Sequence, residues 1–470
     1  MTRLAVAALL AAMVGVGHLL RRALAPGRGA VTSGWSWGLD FLAGLVALHL
    51  VLLGCDLAGL PWSRASLAVA GLALAGIAGV AGAAGFAGRR RGGAVPATAA
   101  GPVAAPPEPS GATAASRSAR LIDVVRSGWG NAVALATLAV YAALAWKLRI
   151  ATPDFVYHWG LKGHRYYLAG GIDWAFLADP LHLTDHPDYP NLLPNLYAAT
   201  AVAAGRFSER AMMAWSVVAF ALILAAAWEC WARTATAGAP RQAGIAALAL
   251  GVGMFAVGYQ QAGGADWWIA LALVAALPPL LTPAAGVGPA DDLAVGLAAA
   301  LAAGAKLEGM PLALFIVVLH LGRRVAAARR LAPAAALRTA LPPLLVIAPW
   351  LGANLRHGLF QPANAGVLDL ARAGVVFPAV AEALATPEWH GLAWSVLLLP
   401  VLAAARRTRP LGLLVSCQAL FYLYIYFSTP LPPDAYTLAS LPRLFFHLVP
   451  AILVGAAILV AAIARGRRDR

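Results

Sequence analysis

The sequence predicts an all-α, polytopic integral membrane protein, a bundle of about thirteen spanning helices with interfacial helices on its outer side. Three observations lead there. Of the 470 residues, 61% are hydrophobic and only 12% charged, and the mean hydropathy is +0.74, so the chain has too few polar groups to cover a water-facing surface. Apolar stretches of about 20 residues, the length that crosses a hydrocarbon core, recur almost from end to end. The net charge of +15 resides in arginines at helix ends and in one linker, where topology signals sit. That placement argues against a nucleic-acid partner and for membrane lipid.

The first elements are apolar spans near residues 3–20, 37–59 and 66–88, which form an accessory three-helix membrane module over residues 1–88. Arg21 and Arg22 follow the first span where a signal peptide would carry small cleavage-site residues, so it reads as a retained helix. Residues 89–127 turn to Ala, Pro, Ser, Gly and Arg without hydrophobic period, the signature of a disordered linker. Residues 128–470 form the main membrane body. Cys55, Cys230 and Cys417 stand alone in apolar stretches and read as small packing residues, with neither metal-ligand spacing nor a disulfide framework.

Orientation follows from the positive-inside rule. Arg89, Arg90, Arg91, Arg117 and Arg120 place the linker in the cytoplasm, and Arg21, Arg22 and Arg28 lie on the same side. The span near 131–148 then runs outward, and the segment bearing Asp154, Asp173, Asp179, Asp185 and Asp188 is external. Residues 191–205, at about 15 apolar residues, are short for a span and read as an outer interfacial helix. With 210–232 as the next inward span, Arg233, Arg241, Arg323, Arg324, Arg329, Arg330, Arg406, Arg407, Arg409 and Arg465 all fall inside. The outer face of an inner, plasma membrane then collects the Asp154 loop, residues 260–266, the Lys306 to Glu308 turn, residues 354–366 and residues 428–443. A site on that face is the inference.

Thr152-Pro153-Asp154 reads as a helix start. At 100° per residue in an α-helix, Asp154, His158, Lys162 and Arg165 share one arc, and Phe155, Trp159 and Tyr166 lie on the arc beside it. Such a helix offers a carboxylate and cations to a lipid headgroup, or simply lies on the surface. His186-Pro187-Asp188-Tyr189-Pro190 fixes an imidazole, a carboxylate and a phenol between two prolines, as ordinary surface turns also do. Asp266 opens an apolar helix beside Trp267 and Trp268, which fit an aromatic belt. Lys306 and Glu308 interrupt an apolar run, marking either a polar cavity or an interfacial turn. Arg356 with His357, and Arg443 with His447, sit on the same side, where an arginine either grips phosphate oxygens or snorkels.

The run Asp154-Phe-Val-Tyr-His-Trp-Gly-Leu-Lys162, followed by His186-Pro-Asp-Tyr-Pro190, resembles bacterial membrane glycosyltransferases of the GT-C type, the broad class that includes dolichyl-phosphate-mannose protein mannosyltransferase-like proteins. Gly264-Ala-Asp266, Ala305-Lys306-Leu-Glu308-Gly309, Pro349-Trp350, and Ser428-Thr-Pro-Leu-Pro-Pro-Asp434 leading to Leu441-Pro-Arg443-Leu extend it over about residues 128–464. The resemblance implies a GT-C-like helical bundle, a polyprenyl-phosphate-linked sugar as donor, and Asp154 as the outer-loop base with Asp266 as the second acidic position. It implies no particular acceptor. His158, Lys162, Arg165, His186, Asp188, Lys306, Glu308, Arg356 and Arg443 are the candidates for holding substrate and carrier phosphate. A divalent metal cofactor stays an open alternative, since no ligand spacing is diagnostic. The rival readings are a secondary transporter and a non-catalytic membrane scaffold.

Overall fold

The computed structural model describes residues 2–25, 33–69, 71–73, 75–76, 114–147, 151–360 and 366–468. Most of the expected third span, and residues 89–113 of the expected linker, lie outside the described residues. Among the described residues the chain is helical without β-strands, and nine helices are long and apolar enough to cross a membrane. These are α1 (Thr2–Leu24), α2 (Ser33–Leu57), α3 (Ala114–Lys147), α7 (Glu209–Arg233), α8 (Gly238–Gly258), α11 (Gly309–Ala328), α12 (Pro333–His357), α15 (Arg409–Ser428) and α16 (Pro433–Arg468). The chain is thus a multi-pass membrane protein. Among the described residues nine such helices stand against about thirteen expected spans: several other apolar helices are shorter than a bilayer needs, and the expected third span lies mostly outside the described residues.

The short helices matter most. Between the spans lie α4 (Gly160–Ala169), α5 (Trp174–Ala178), α6 (Leu192–Ala204), α9 (Asp266–Leu281), α10 (Pro289–Ala305), α13 (Ala373–Leu384) and α14 (Leu399–Ala404). Every residue of α9 is buried, and so is α10 from Ala290 onward. An α-helix that is apolar all round belongs at the centre of a bundle, and α9 packs against α7, α10 and α16 while α10 packs against α11 and α12. Trp267 and Trp268 are consequently core residues and not part of an aromatic belt. The expected interfacial helix at 191–205 is also corrected: α6 is buried from Leu192 to Val202, enclosed by α1, α2, α4 and α10.

The two ends of the bundle differ in charge. At one end Arg233 pairs with Glu229 (2.7 Å) and Asp291 (2.6 Å), Arg323 and Arg324 donate to the carbonyls of Thr282 and Val287, Arg338 to Leu24 and Arg465 to Ala235. Arg233, Arg323, Arg324 and Arg465, all expected on one side, thus share this end of the bundle. Both α7 and α9 terminate there, since Arg233 also donates to Thr282 (3.2 Å). At 1.5 Å per residue α7 rises about 37 Å and α9 only about 24 Å. Asp266, at the far end of α9, is therefore recessed by roughly 13 Å below the far end of α7.

The first two helices pack against the body. Phe41 stacks on Trp215 (6.1 Å) and Trp268 (6.3 Å), and Asn195 meets His49 (3.0 Å). At the end of α2, Asp56 accepts from the backbone N–H of Ile172 (2.8 Å) and from the Trp174 indole (3.0 Å). Helix α3 likewise begins at Ala114, inside the segment expected as linker. The run from Ala114 to Val125 contains neither proline nor glycine, so nothing in it breaks a helix. Of the cysteines, Cys230 is buried while Cys417 is exposed on the outer surface of the bundle, contrary to a packing role. Asp56→Ala should lower the thermal stability of the purified protein in micelles by about 1–3 kcal/mol, the range for stranding buried donors; an unchanged melting temperature contradicts the docking of α2 on the body.

Candidate active site

Asp154 and Asp266 come together because their backbones do. The Thr152 N–H donates to the carbonyl of Ala262 (3.0 Å), and Ala151 bridges Ala262. The turn that leads into α9 is held from three sides. Gly263 N–H donates to Ser216 Oγ (2.7 Å), its carbonyl accepts from Tyr197 OH (2.8 Å), and the Trp267 indole donates to the Gln261 carbonyl (2.8 Å). Gly263 has φ +80°, and a Cβ there would lie 2.5 Å from the Phe155 ring, so only glycine fits.

Helix α16 supplies the third component. Arg443 and His447 are one turn apart on a single face. Arg443 lies about 33 Å along α16 from Arg465 at the arginine-rich end, close to one hydrocarbon thickness of ~30 Å. Its guanidinium binds Asp154 through two hydrogen bonds, Nη1 to Oδ1 (3.0 Å) and Nη2 to Oδ2 (2.7 Å), while Nε lies 3.4 Å from Asp266 Oδ2. Asp266 Oδ1 takes Lys306 Nζ at 3.3 Å and the His447 Nε2–H at 3.0 Å, and the Tyr422 hydroxyl donates to His447 Nδ1. Lys306 Nζ also lies 3.3 Å from Glu308 Oε1. Three carboxylates and two cations thus form one network. Its floor is closed, with Asp266 2% and His447 0% exposed, while Asp154 at 17% and Arg443 at 20% stand at its mouth.

A cavity of about 510 Å³ opens over this network. Asp154, His158, Lys306, Glu308 and Arg443 line it, together with the rings of Trp159, Tyr189, Phe421, Tyr424 and Tyr436 and the hydroxyls of Ser428, Thr429 and Ser440. Leu307, Ile425, Leu431 and Leu444 give it an apolar wall. Aromatic faces beside charged groups suit a polar ring with an apolar body. Arg372 braces the rim by donating to the carbonyl of Thr429.

The segment after Asp154 departs from the expected even arc. Residues Phe155–Trp159 form a π-helical turn, which widens the helix and shifts the register of all that follows. Asp154 and His158 reach the cavity. Lys162 is buried behind it, its ammonium donating to the carbonyl of His186 and lying 5.7 Å from the Trp159 ring. Arg165 is exposed and pairs with Asp173 (2.7 Å) instead. The helix offers Asp154 no side-chain cap, so its partner is Arg443 and not the helix terminus.

His186 lines the cavity at the end of the loop, in a left-handed conformation with φ 50°, its ring 4.6 Å from His158 and 4.5 Å from Tyr189. Burial, with nearby His158, Lys162 and Lys306, pushes its imidazole down to about 4, so it is neutral at neutral pH. Asp188 is buried outside the cavity, its carbonyl accepting from Trp350 (3.2 Å) and Asn354 (3.0 Å), which anchors the loop. Arg356 is exposed at the end of α12 and does not line the cavity. His447, Tyr422 and the aromatic lining were not among the candidates. His447 and Tyr422 look like core residues of apolar helices, and only the proximity of His447 to Arg443 hinted at its place.

Among the described residues no group of three or more His, Cys, Asp and Glu side chains is arranged to hold a metal ion. Asp266→Asn strands Lys306 and Arg443 with weaker partners in a buried site, so it should lower stability by about 3–5 kcal/mol. Asp154→Asn, at the open mouth, should cost clearly less in thermal or denaturant unfolding of the purified protein. Equal losses contradict the assignment of Asp266 as the hub.

Compared with known protein families, with curated proteins and with solved structures, the chain matches none of them.

Proposed function

We propose that this protein is a membrane glycosyltransferase that moves a sugar from a polyprenyl-phosphate carrier to an acceptor at the outer face of the inner membrane, with inversion at the anomeric carbon. The observation that carries the reading is the convergence of Asp154, Lys306, Glu308 and Arg443, from distant parts of the chain, on one aromatic-lined cavity at the end of the bundle opposite the arginines. The positive-inside rule assigns the arginine end to the cytoplasm and so the cavity to the outer face. The GT-C-like architecture and the roles of Asp154 and Asp266 belong to the same proposal.

In the reaction, an acceptor hydroxyl attacks the anomeric carbon from the side opposite the phosphate. The new C–O bond forms as the bond from that carbon to the phosphate oxygen breaks, and the bonding pair leaves with the phosphate. Asp154 takes the hydroxyl proton. Arg443 and Lys306 face the oxygen on which charge develops, in a site poor in water where such contacts are strong. Arg443 couples the two events: it holds both oxygens of Asp154, and a phosphate competing for the guanidinium loosens that grip and leaves the carboxylate to the acceptor. Asp266, held by Lys306 and His447, keeps both cations in place.

A transport path lacks comparable support. The polar groups at the two ends of the bundle are separated by the apolar, wholly buried α9. With purified protein in liposomes, labelled polyprenyl-phosphate sugar and a membrane extract as source of acceptor, the wild type should move label from the carrier to an acceptor hydroxyl or to water, and folded Asp154→Asn should lose about 100-fold or more in rate while still binding the carrier. Full activity in Asp154→Asn sinks the proposed base, and label that crosses the bilayer without leaving its carrier replaces transfer by transport.

A further inference from the structure

Of the cavity-lining residues, Trp159 Nε1, His186 Nδ1, Arg443 Nε and Glu308 Oε2 are buried without hydrogen-bond partners among the described residues, and two of these belong to charged groups of opposite kind, Arg443 Nε, a donor, and Glu308 Oε2, an acceptor. Both residues line the same cavity. Arg443 Nε has only the 3.4 Å ion contact with Asp266. The other oxygen of Glu308 lies 3.3 Å from Lys306, and its backbone carbonyl accepts from Gln418 Nε2 (3.0 Å), which fixes the residue at the cavity wall. A buried polar atom left open in this way is costly unless a ligand or water completes it.

The charges point the same way. Asp154, Asp266 and Glu308 outnumber Lys306 and Arg443, and the nearby Lys162 and Asp188 add one charge of each sign. A phosphodiester with a neutral headgroup adds a second uncompensated negative charge to a poorly solvated site. A ligand that brings an ammonium with its phosphate removes that cost and satisfies Glu308 Oε2.

The geometry points to a zwitterionic ligand: a phosphodiester lipid bearing a primary ammonium group, with its phosphate on Arg443 and Lys306 and its ammonium on Glu308. For a sugar carrier this rests on the glycosyltransferase reading and specifies an amino sugar on the polyprenyl phosphate. The same chemistry is present in an ethanolamine phospholipid headgroup, so the test separates the two sources.

The experiment uses the full chain in phosphatidylglycerol nanodiscs. Equilibrium binding is measured for labelled polyprenyl-phosphate hexosamine with a free amine and for its N-acetylated form, in the wild type and in Glu308→Gln, with phosphatidylethanolamine as competitor. The wild type should bind the free amine at least about tenfold more tightly, and Glu308→Gln should bind the two sugar lipids alike. Equal binding of both sugar lipids by the wild type, which needs no variant to read, overturns the zwitterion and leaves the carrier reading standing. A preference that survives in Glu308→Gln overturns the role of Glu308. Competition by phosphatidylethanolamine that depends on Glu308, with no binding of either sugar lipid, keeps the zwitterion and overturns the sugar carrier. No binding of any of the lipids overturns both.

Discussion

Asp266 is a carboxylate at the buried end of a central helix, 2% exposed, and its charge is tolerable only because Lys306, Arg443 and His447 reach it. Those three come from two other parts of the chain, so the ion network does what a disulfide or a metal does elsewhere: it fixes the relative positions of elements that share no local sequence. An unpaired charge at this depth costs several kcal/mol, which makes the arrangement of α9, α10 and α16 at this end close to all-or-none. Asp154 then joins through the spare face of Arg443, and the cavity mouth takes its shape from that one guanidinium.

Depth is set by helix length. Because α9 and α10 are shorter than the spans around them, the cavity lies over their ends, and its polar floor sits below walls formed by α15 and α16. The rim is completed by the loop from Asp154 to Asn191, which is pinned from two directions. Trp350 and Asn354 hold the carbonyl of Asp188, and Asp56 of α2 holds Ile172 and Trp174. The first two helices thereby help to seat the cavity wall, although they supply none of its lining residues.

The sequence was informative wherever an ionisable residue interrupted an apolar run, since such a residue must be paired or wet. That logic singles out Lys306 and Glu308, while a helix start marks Asp154, the opening of an apolar helix marks Asp266, and its side of the membrane marks Arg443; all five meet in one network. A shared arc or a shared side does not amount to convergence: Arg165 belongs to the expected polar arc and Arg356 to the expected outer side, yet neither lines the cavity. The π turn after Asp154 has no periodicity signal that distinguishes it from an α-helix, and it redirected half of the expected polar face. His447 and Tyr422 were hidden for the opposite reason, being polar atoms on residues that otherwise read as core. The buried α6 and α9 were misjudged because hydropathy reports that a helix avoids water, not whether lipid or protein surrounds it.

The central claim is that Arg443 physically couples Asp154 to the buried network, and a double-mutant cycle measures that coupling directly. Unfolding free energies of the wild type, Asp154→Asn, Arg443→Gln and the double variant should be clearly non-additive, with an interaction of about 1–3 kcal/mol, as for residues that share a charged hydrogen-bond network. Additive losses show that the two side chains do not meet in the folded protein and contradict the account.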